Sequence, residues 1–245
     1  MKLALKAIGH SFLGRAVFED FDLTLGNGEI IALLGPSGCG KTTILQIAAG
    51  LIAPLRGRVE RAYRRHAVVF QEPRLLPWQT TCGNIAYGLA ASGMDRVERA
   101  GRAAAQARAV GLAPEDLDKY PVELSGGMRQ RVSVARALAV EPDVVLFDEP
   151  FTAVDVGLRR ALQDLVIAAA EAQSFSALFV THDLGEAVRV ADRLVLLSGE
   201  DGRVLARRTM QGRRGTRSDR AIFEMVEAWS REPAFAELFD PRRPA

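Results

Sequence analysis

The chain has 245 residues, enough for one domain with an inserted lobe or for two small ones. Its 48% apolar and 25% charged content is that of an ordinary globular protein, and a formal net charge of +2 excludes a wholly basic nucleic-acid binder. No run approaches the roughly 18 apolar residues of a membrane span, and residues 1–6 hold an apolar stretch far too short for a secretion signal. Cys39 and Cys82 make neither a disulfide framework nor a metal-ligand pair, so a reducing, cytoplasmic setting is expected. His10, His66 and His182 are too scattered for a multi-histidine metal site.

In chain order, Lys2, Ala4 and Lys6 alternate with Leu3, Leu5 and Ala7, which predicts a half-buried strand. Phe21, Leu23 and Leu25 repeat the alternation before a turn at Gly26-Asn27-Gly28. Residues 29–34 are a short, nearly continuous apolar run, as are 144–147 and 177–180. Such runs suit strands of a parallel sheet buried on both faces. Helical patterns lie between them, so the order argues for an α/β fold.

Directly after the first of these runs stands Gly35-Pro36-Ser37-Gly38-Cys39-Gly40-Lys41-Thr42, a full match to G-x-x-x-x-G-K-[ST]. Its glycines let the backbone wrap closely and aim successive N–H groups at phosphate oxygens. Lys41 supplies a point charge to the β- and γ-phosphates, and the Thr42 hydroxyl faces Mg²⁺. A helix is predicted from about Thr43 through Ile44, Leu45, Ile47 and Ala48, and its positive end faces the same anion.

Residues 84–140 are rich in Ala and Arg. Val97, Ala100, Ala104, Ala107 and Val110 fall on one helical face, with Gly111 and Pro114 as the stop. This reads as a helical lobe inserted between two halves of a sheet domain. The next buried strand ends in Asp148-Glu149-Pro150. Ligands of open parallel sheets bind at strand carboxyl ends, so Asp148 is expected in the Mg²⁺ shell and Glu149 is placed to polarise an attacking water. Beyond Ala206 the chain turns arginine-rich (Arg207, Arg208, Arg213, Arg214, Arg217, Arg220), which suggests a solvated tail or one lying near anionic headgroups. Ile222, Val226 and Trp229 then mark an amphipathic helix stopped by Pro233. The expected divisions are 1–83, 84–140, 141–205 and 206–245.

Residues 124–130, Leu-Ser-Gly-Gly-Met-Arg-Gln, place a good N-cap, Ser125, before Gly126 and Gly127 at a helix start. Their position between the phosphate loop and the acidic strand makes the chain resemble the nucleotide-binding subunits of ABC transporters, over nearly its whole length. The resemblance implies a P-loop NTPase (RecA-like) core with an antiparallel β subdomain and an inserted α-helical subdomain, binding ATP and Mg²⁺. It makes residues 124–130 the signature motif, which binds the γ-phosphate held by the other subunit of a head-to-tail dimer. By the same likeness Gln71 is the glutamine that senses Mg²⁺ and the transport partner, and Asp155 belongs to the D-loop. His182 is the switch histidine on the γ-phosphate, Phe12 stacks on adenine, and residues 35–43 (through Thr43) cradle the phosphates. Thr152 and Val154 depart from the commoner Ser-Ala-Leu-Asp of the D-loop, a change that leaves Asp155 in place.

With no membrane span in the chain, the resemblance implies two separate integral-membrane permease subunits and, indirectly, a periplasmic solute-binding protein. The ATPase would sit peripherally on the cytoplasmic side of the inner membrane, as a homodimer or paired with a close paralogue. Gln71 is followed by Glu72-Pro73-Arg74-Leu75-Leu76-Pro77-Trp78, a run similar to the importer ATPases for nitrate, sulfonate, taurine and thiamine precursors. Leu75, Leu76 and Trp78 could dock a permease helix or pack the loop against the helical lobe. A soluble ABC ATPase acting on DNA or ribosomes usually carries two cassettes or a long coiled coil, and no nucleic-acid partner is expected. A P-loop kinase would not need residues 124–130.

Overall fold

The computed structural model describes residues 1–152 and 154–235. In chain order the strands are β1 (Leu3–Phe12), β2 (Arg15–Leu25), β3 (Ile30–Leu34), β4 (Arg56–Arg61), β5 (His66–Val69), β6 (Val144–Asp148), β7 (Ser176–Thr181), β8 (Arg193–Leu197) and β9 (Val204–Thr209). The α-helices are α1 (Lys41–Ala49), α2 (Thr81–Ala86), α3 (Arg96–Ala109), α4 (Gly126–Ala139), α5 (Val156–Gln173), α6 (Leu184–Val190) and α7 (Asp219–Ser230). The described residues form two compact units, one of Met1–Tyr63 with 175–235, the other of Arg64–Ser174.

In the first unit β1 lies between β2 and β4 in an antiparallel sheet. The simple alternation expected at the start of β1 does not hold. Leu3, Ala4 and Leu5 are all buried, and Ala7 takes a positive φ of 47° where the register to β2 shifts between Leu5 and Ile8. An extra residue at such a bulge changes which face the following side chains meet, so Ile8 returns to the core. In β2, Phe21, Leu23 and Leu25 are buried on one face as their spacing predicts.

The same unit holds a second sheet, in which β3 pairs in parallel with β7 and β8 and β9 closes the edge antiparallel to β8. Every side chain of β3 and β7 is buried, in line with their continuous apolar runs. Helix α1 buries Ile44, Leu45, Ile47 and Ala48. Removing any of the larger ones to Ala would cost about 2–5 kcal/mol.

Four arginines of the arginine-rich stretch are tied to distant segments, while Arg213 and Arg220 are exposed. Arg207 belongs to β9 and donates to the Asp22 carbonyl at 2.8 Å, while Arg208 pairs with Glu232 at 2.6 Å. Arg214 bonds Asp192 and the Gly28 carbonyl. Arg217 is buried and donates to the carbonyls of Val188 (2.7 Å), Ala191 (2.8 Å), Gly212 (2.8 Å) and Gln211 (3.0 Å). It therefore caps the C-terminal end of α6, where helix carbonyls lack intrahelical partners. Burial pushes its pKa down from the usual arginine value. Helix α7 is capped by Ser218, and Ile222, Val226 and Trp229 are half-buried on one face as predicted. Residues 236–245 of the expected tail lie outside the described residues.

In the second unit β5 and β6 pair in parallel, and α2, α3 and α4 pack on one another. Helix α3 stops before Gly111 (φ 73°), as its residues predict, but its buried face is Ala103, Ala107 and Val110. Val97 is 82% exposed and Ala100 faces solvent. Alanines occupy so many positions of this helix that their spacing admits several faces, and packing against α2 and α4 selects one.

Candidate functional site

Strand β3 delivers the chain into the phosphate loop, and α1 begins at Lys41, two residues before the predicted start. Its cap residue is Gly40 in the left-handed region (φ 95°), and no side chain caps the helix. The first N–H groups of a helix have no intrahelical partner, and the first turn of α1 carries no acid, so this end is suited to an anion. Lys41 is buried, and its ammonium donates to the carbonyls of Gly35 (2.7 Å) and Pro36 (2.9 Å), which holds the charge inside the loop. Ser37, Gly38 and Thr42 are exposed, Thr43 is half-buried and Cys39 is buried.

The glycines at the two ends of this loop are required by close approach. A Cβ on Gly40 would come within 2.6 Å of Val17 Cγ1 and 3.0 Å of Phe18 Cδ1. One on Gly35 would meet Cys39 Sγ at 2.8 Å and the Leu197 carbonyl at 3.0 Å. The β1–β2 hairpin that packs on Gly40 also carries Phe12, whose ring is 50% exposed and stands edge-on to His10, with centroids 4.8 Å apart. Phe12 is thus no core residue.

Parallel pairing sets His182 beside the loop in sequence register. Leu34 pairs with Thr181, so Gly35 and His182 leave adjoining strand ends. The turn around this exposed histidine is tied internally. Thr181 Oγ1 donates to Glu186 Oε2 at 2.5 Å and accepts from the Asp183 N–H at 3.0 Å, and Asp183 caps α6 by accepting from the Glu186 N–H.

The second unit, taken by itself, carries the other expected residues. Val69 pairs with Phe147, so Gln71 and Glu149 follow just past the ends of neighbouring strands. Asp148 ends β6 and is buried, while Gln71 is exposed. Glu149 has a φ of 44°, rare for a residue with a Cβ and of the kind that clusters at active sites. Ser125 caps α4, its hydroxyl accepting from the Met128 N–H at 3.2 Å, and Gly126 is exposed at a helix start free of acids in its first turn. Asp155 likewise caps α5, accepting from the Leu158 N–H at 3.0 Å. A Cβ on Gly127 would lie 2.6 Å from Leu158 Cδ2, so helices α4 and α5 meet near their starts. Ala153 of the expected D-loop lies outside the described residues.

Two contributors, Arg136 and Leu158, were not singled out by sequence, and Gln130 was marked only as the end of residues 124–130. Arg136, on α4, donates to the carbonyls of Pro73 (2.8 Å) and Arg74 (2.9 Å), fixing the loop after Gln71, and burial lowers its pKa. Buried Gln130 reaches the Phe70 carbonyl at 3.4 Å. Leu158 meets the would-be Cβ of Gly127 as described above. Nothing in sequence marks these contacts, because each is made with a segment distant in the chain. Trp78 is 70% exposed, whereas Leu75 and Leu76 are half-buried.

Among the described residues no group of three or more His, Cys, Asp or Glu could hold a metal. Thr42 and Asp148 offer a hydroxyl and a carboxylate, hard oxygen donors of the kind that suit Mg²⁺ held mainly by phosphates. Nor is any helix among the described residues long and apolar enough to cross a membrane.

Residues 18–152 match the family model described as ABC transporter. The chain is 45% identical over 194 residues to the aliphatic sulfonates import ATP-binding protein SsuB 1 of Pseudomonas savastanoi, covering 79% of each chain. It is 39% identical over 245 residues to the taurine import ATP-binding protein TauB of Escherichia coli, covering 94% of each. Among solved structures it is similar to the dimeric post-hydrolysis state of the ATP-binding cassette MJ0796 bound to ADP and Pi, with a TM-score of 0.78 and 28% identity. That match covers 86% of this chain and all of the other.

Proposed function

The chain belongs to the ABC transporter family as an ATP-binding, ATP-hydrolysing subunit, and from that premise we propose that it energises import of a small sulfonate through separate permease chains. The relatives named for aliphatic sulfonates and taurine support this class of solute. On this reading the protein works peripherally at the cytoplasmic face of the cell membrane, with two permease subunits as partners.

Two copies face each other head to tail with ATP between them, as the dimeric cassettes among the solved relatives suggest. In this proposal the N–H groups of residues 35–43 and the Lys41 ammonium hold the phosphates of one ATP, and Phe12 stacks on its adenine. Thr42, Asp148 and Gln71 hold Mg²⁺, which neutralises charge on the β- and γ-phosphates. Ser125, Gly126, Gly127 and Asp155 of the other copy close over the γ-phosphate. Glu149 orients the water that attacks phosphorus, and His182 stabilises the charge that develops. Closing and reopening of the pair would drive the permease.

The observation that carries this reading is the Leu34–Thr181 pairing, which sets His182 at the strand end next to the phosphate loop. The test is Glu149→Gln. We expect it to retain ATP binding, lose turnover by at least about a hundredfold and elute as a dimer with ATP. Undiminished hydrolysis would remove Glu149 from the mechanism.

A further inference from the structure

The turn between β8 and β9 carries no residue assigned above, yet it lies directly against the phosphate loop. Its own bonds make it firm: the Ser198 N–H donates to the Arg203 carbonyl at 2.8 Å, the Glu200 N–H to Ser198 Oγ at 3.2 Å, and the Arg203 N–H to Asp201 Oδ1 at 3.3 Å. Gly202, buried within it, has a φ of +63°. A Cβ there would stand 2.4 Å from the Val17 carbonyl oxygen, 2.9 Å from Phe18 Cβ and 3.1 Å from the Cys39 carbonyl oxygen. Two of these atoms are backbone, so no side-chain rotation makes room. Val17 and Phe18 are also the residues that press on Gly40, and Leu197, at the end of β8, presses on Gly35. The loop is thereby gripped at both ends by β2 on one flank and the β8–β9 hairpin on the other.

We propose that Gly202 is a positioning residue for nucleotide: contact of its bare backbone with Val17 and Cys39 sets where the N–H groups of the phosphate loop stand. Anion recognition by backbone N–H groups depends on their joint geometry, and small displacements are expensive there. Any side chain at 202 pushes on Cys39 or on the β2 segment that backs Gly40. The inference rests on the reading of residues 35–43 as the ATP site.

Gly28 provides the matched control. Its φ is +64°, so an alanine suffers the same backbone strain, but nothing lies within 4 Å of its would-be Cβ. Gly202→Ala and Gly28→Ala are purified as full chains alongside wild type. Thermal midpoints without nucleotide, affinity for a fluorescent ATP analogue, and KM and kcat for ATP are then measured. Both variants should lose thermal stability, whereas only Gly202→Ala should weaken nucleotide binding, by about tenfold, and raise KM more than it lowers kcat. Equal nucleotide affinity in the two variants overturns the proposal. Should Gly202→Ala not yield folded protein, one glycine inserted after exposed Glu200 loosens the turn without adding a side chain. Weakened binding then supports the proposal and unchanged binding overturns it. Failure of the wild-type chain itself to bind the analogue would sink the underlying assignment of the ATP site, an outcome distinct from the others.

Discussion

Glu149 sits immediately before Pro150 with a positive φ, where a residue bearing a Cβ is strained by about 1–3 kcal/mol. Thr152 Oγ1 reaches both its carbonyl and its carboxylate at 3.3 Å, so the turn is held from within. Glycine would adopt this backbone without penalty. Glu149→Gly should therefore raise the unfolding temperature, by an amount matching about 1 kcal/mol, while abolishing ATP hydrolysis. Calorimetry and a phosphate-release assay on the same preparation decide it, and a variant that is both less stable and inactive would refute stored strain at this site. Sequence marked Glu149 as a carboxylate at a strand end, but the backbone conformation that aims it was invisible there.

Helices α4 and α5 start side by side, each capped by a short polar side chain, Ser125 and Asp155. Between them Leu158 Cδ2 occupies the space that a Cβ on Gly127 would need, 2.6 Å away. An alanine at 127 must displace the Leu158 side chain that lies between the two helix starts. Gly127→Ala should lower ATPase activity about tenfold or more, and adding Leu158→Ala in the same chain should restore much of it by making room. A double variant no better than the single one would place the defect at the nucleotide instead of between the helices. The motif containing Gly127 was legible in sequence, as was the capping role of Ser125. Leu158 was not, because its part depends on which face of α5 turns toward α4.

At the scale of the whole molecule, a head-to-tail pair makes a definite genetic prediction. Lys41→Ala damages the phosphate loop of its own copy, and Ser125→Arg damages the signature offered to the other copy. Neither variant alone should hydrolyse ATP. Mixed together, about half of the pairs are heterodimers, each with one intact composite site, so turnover should recover to at most about a quarter of wild type. No recovery on mixing, with heterodimers shown to form, would mean that each chain completes its own site.

The sequence by itself determined the α/β class, the three buried strands and the phosphate loop, because these depend on local patterns: unbroken apolar runs, glycines at fixed spacing, a lysine followed by a hydroxyl. It also supplied the family, through the order of residues 35–42, 124–130 and 148–149. Tertiary structure alone decided which phase of an alanine-rich helix is buried, where β1 bulges, and that Arg207, Arg208, Arg214 and Arg217 are ties to distant segments. Those outcomes turn on partners far away in the chain. Arg217 finds the carbonyl end of α6, and Gly202 finds Cys39. No spacing rule within a segment records such a meeting, since packing and unsatisfied backbone carbonyls select it only once the strands are paired.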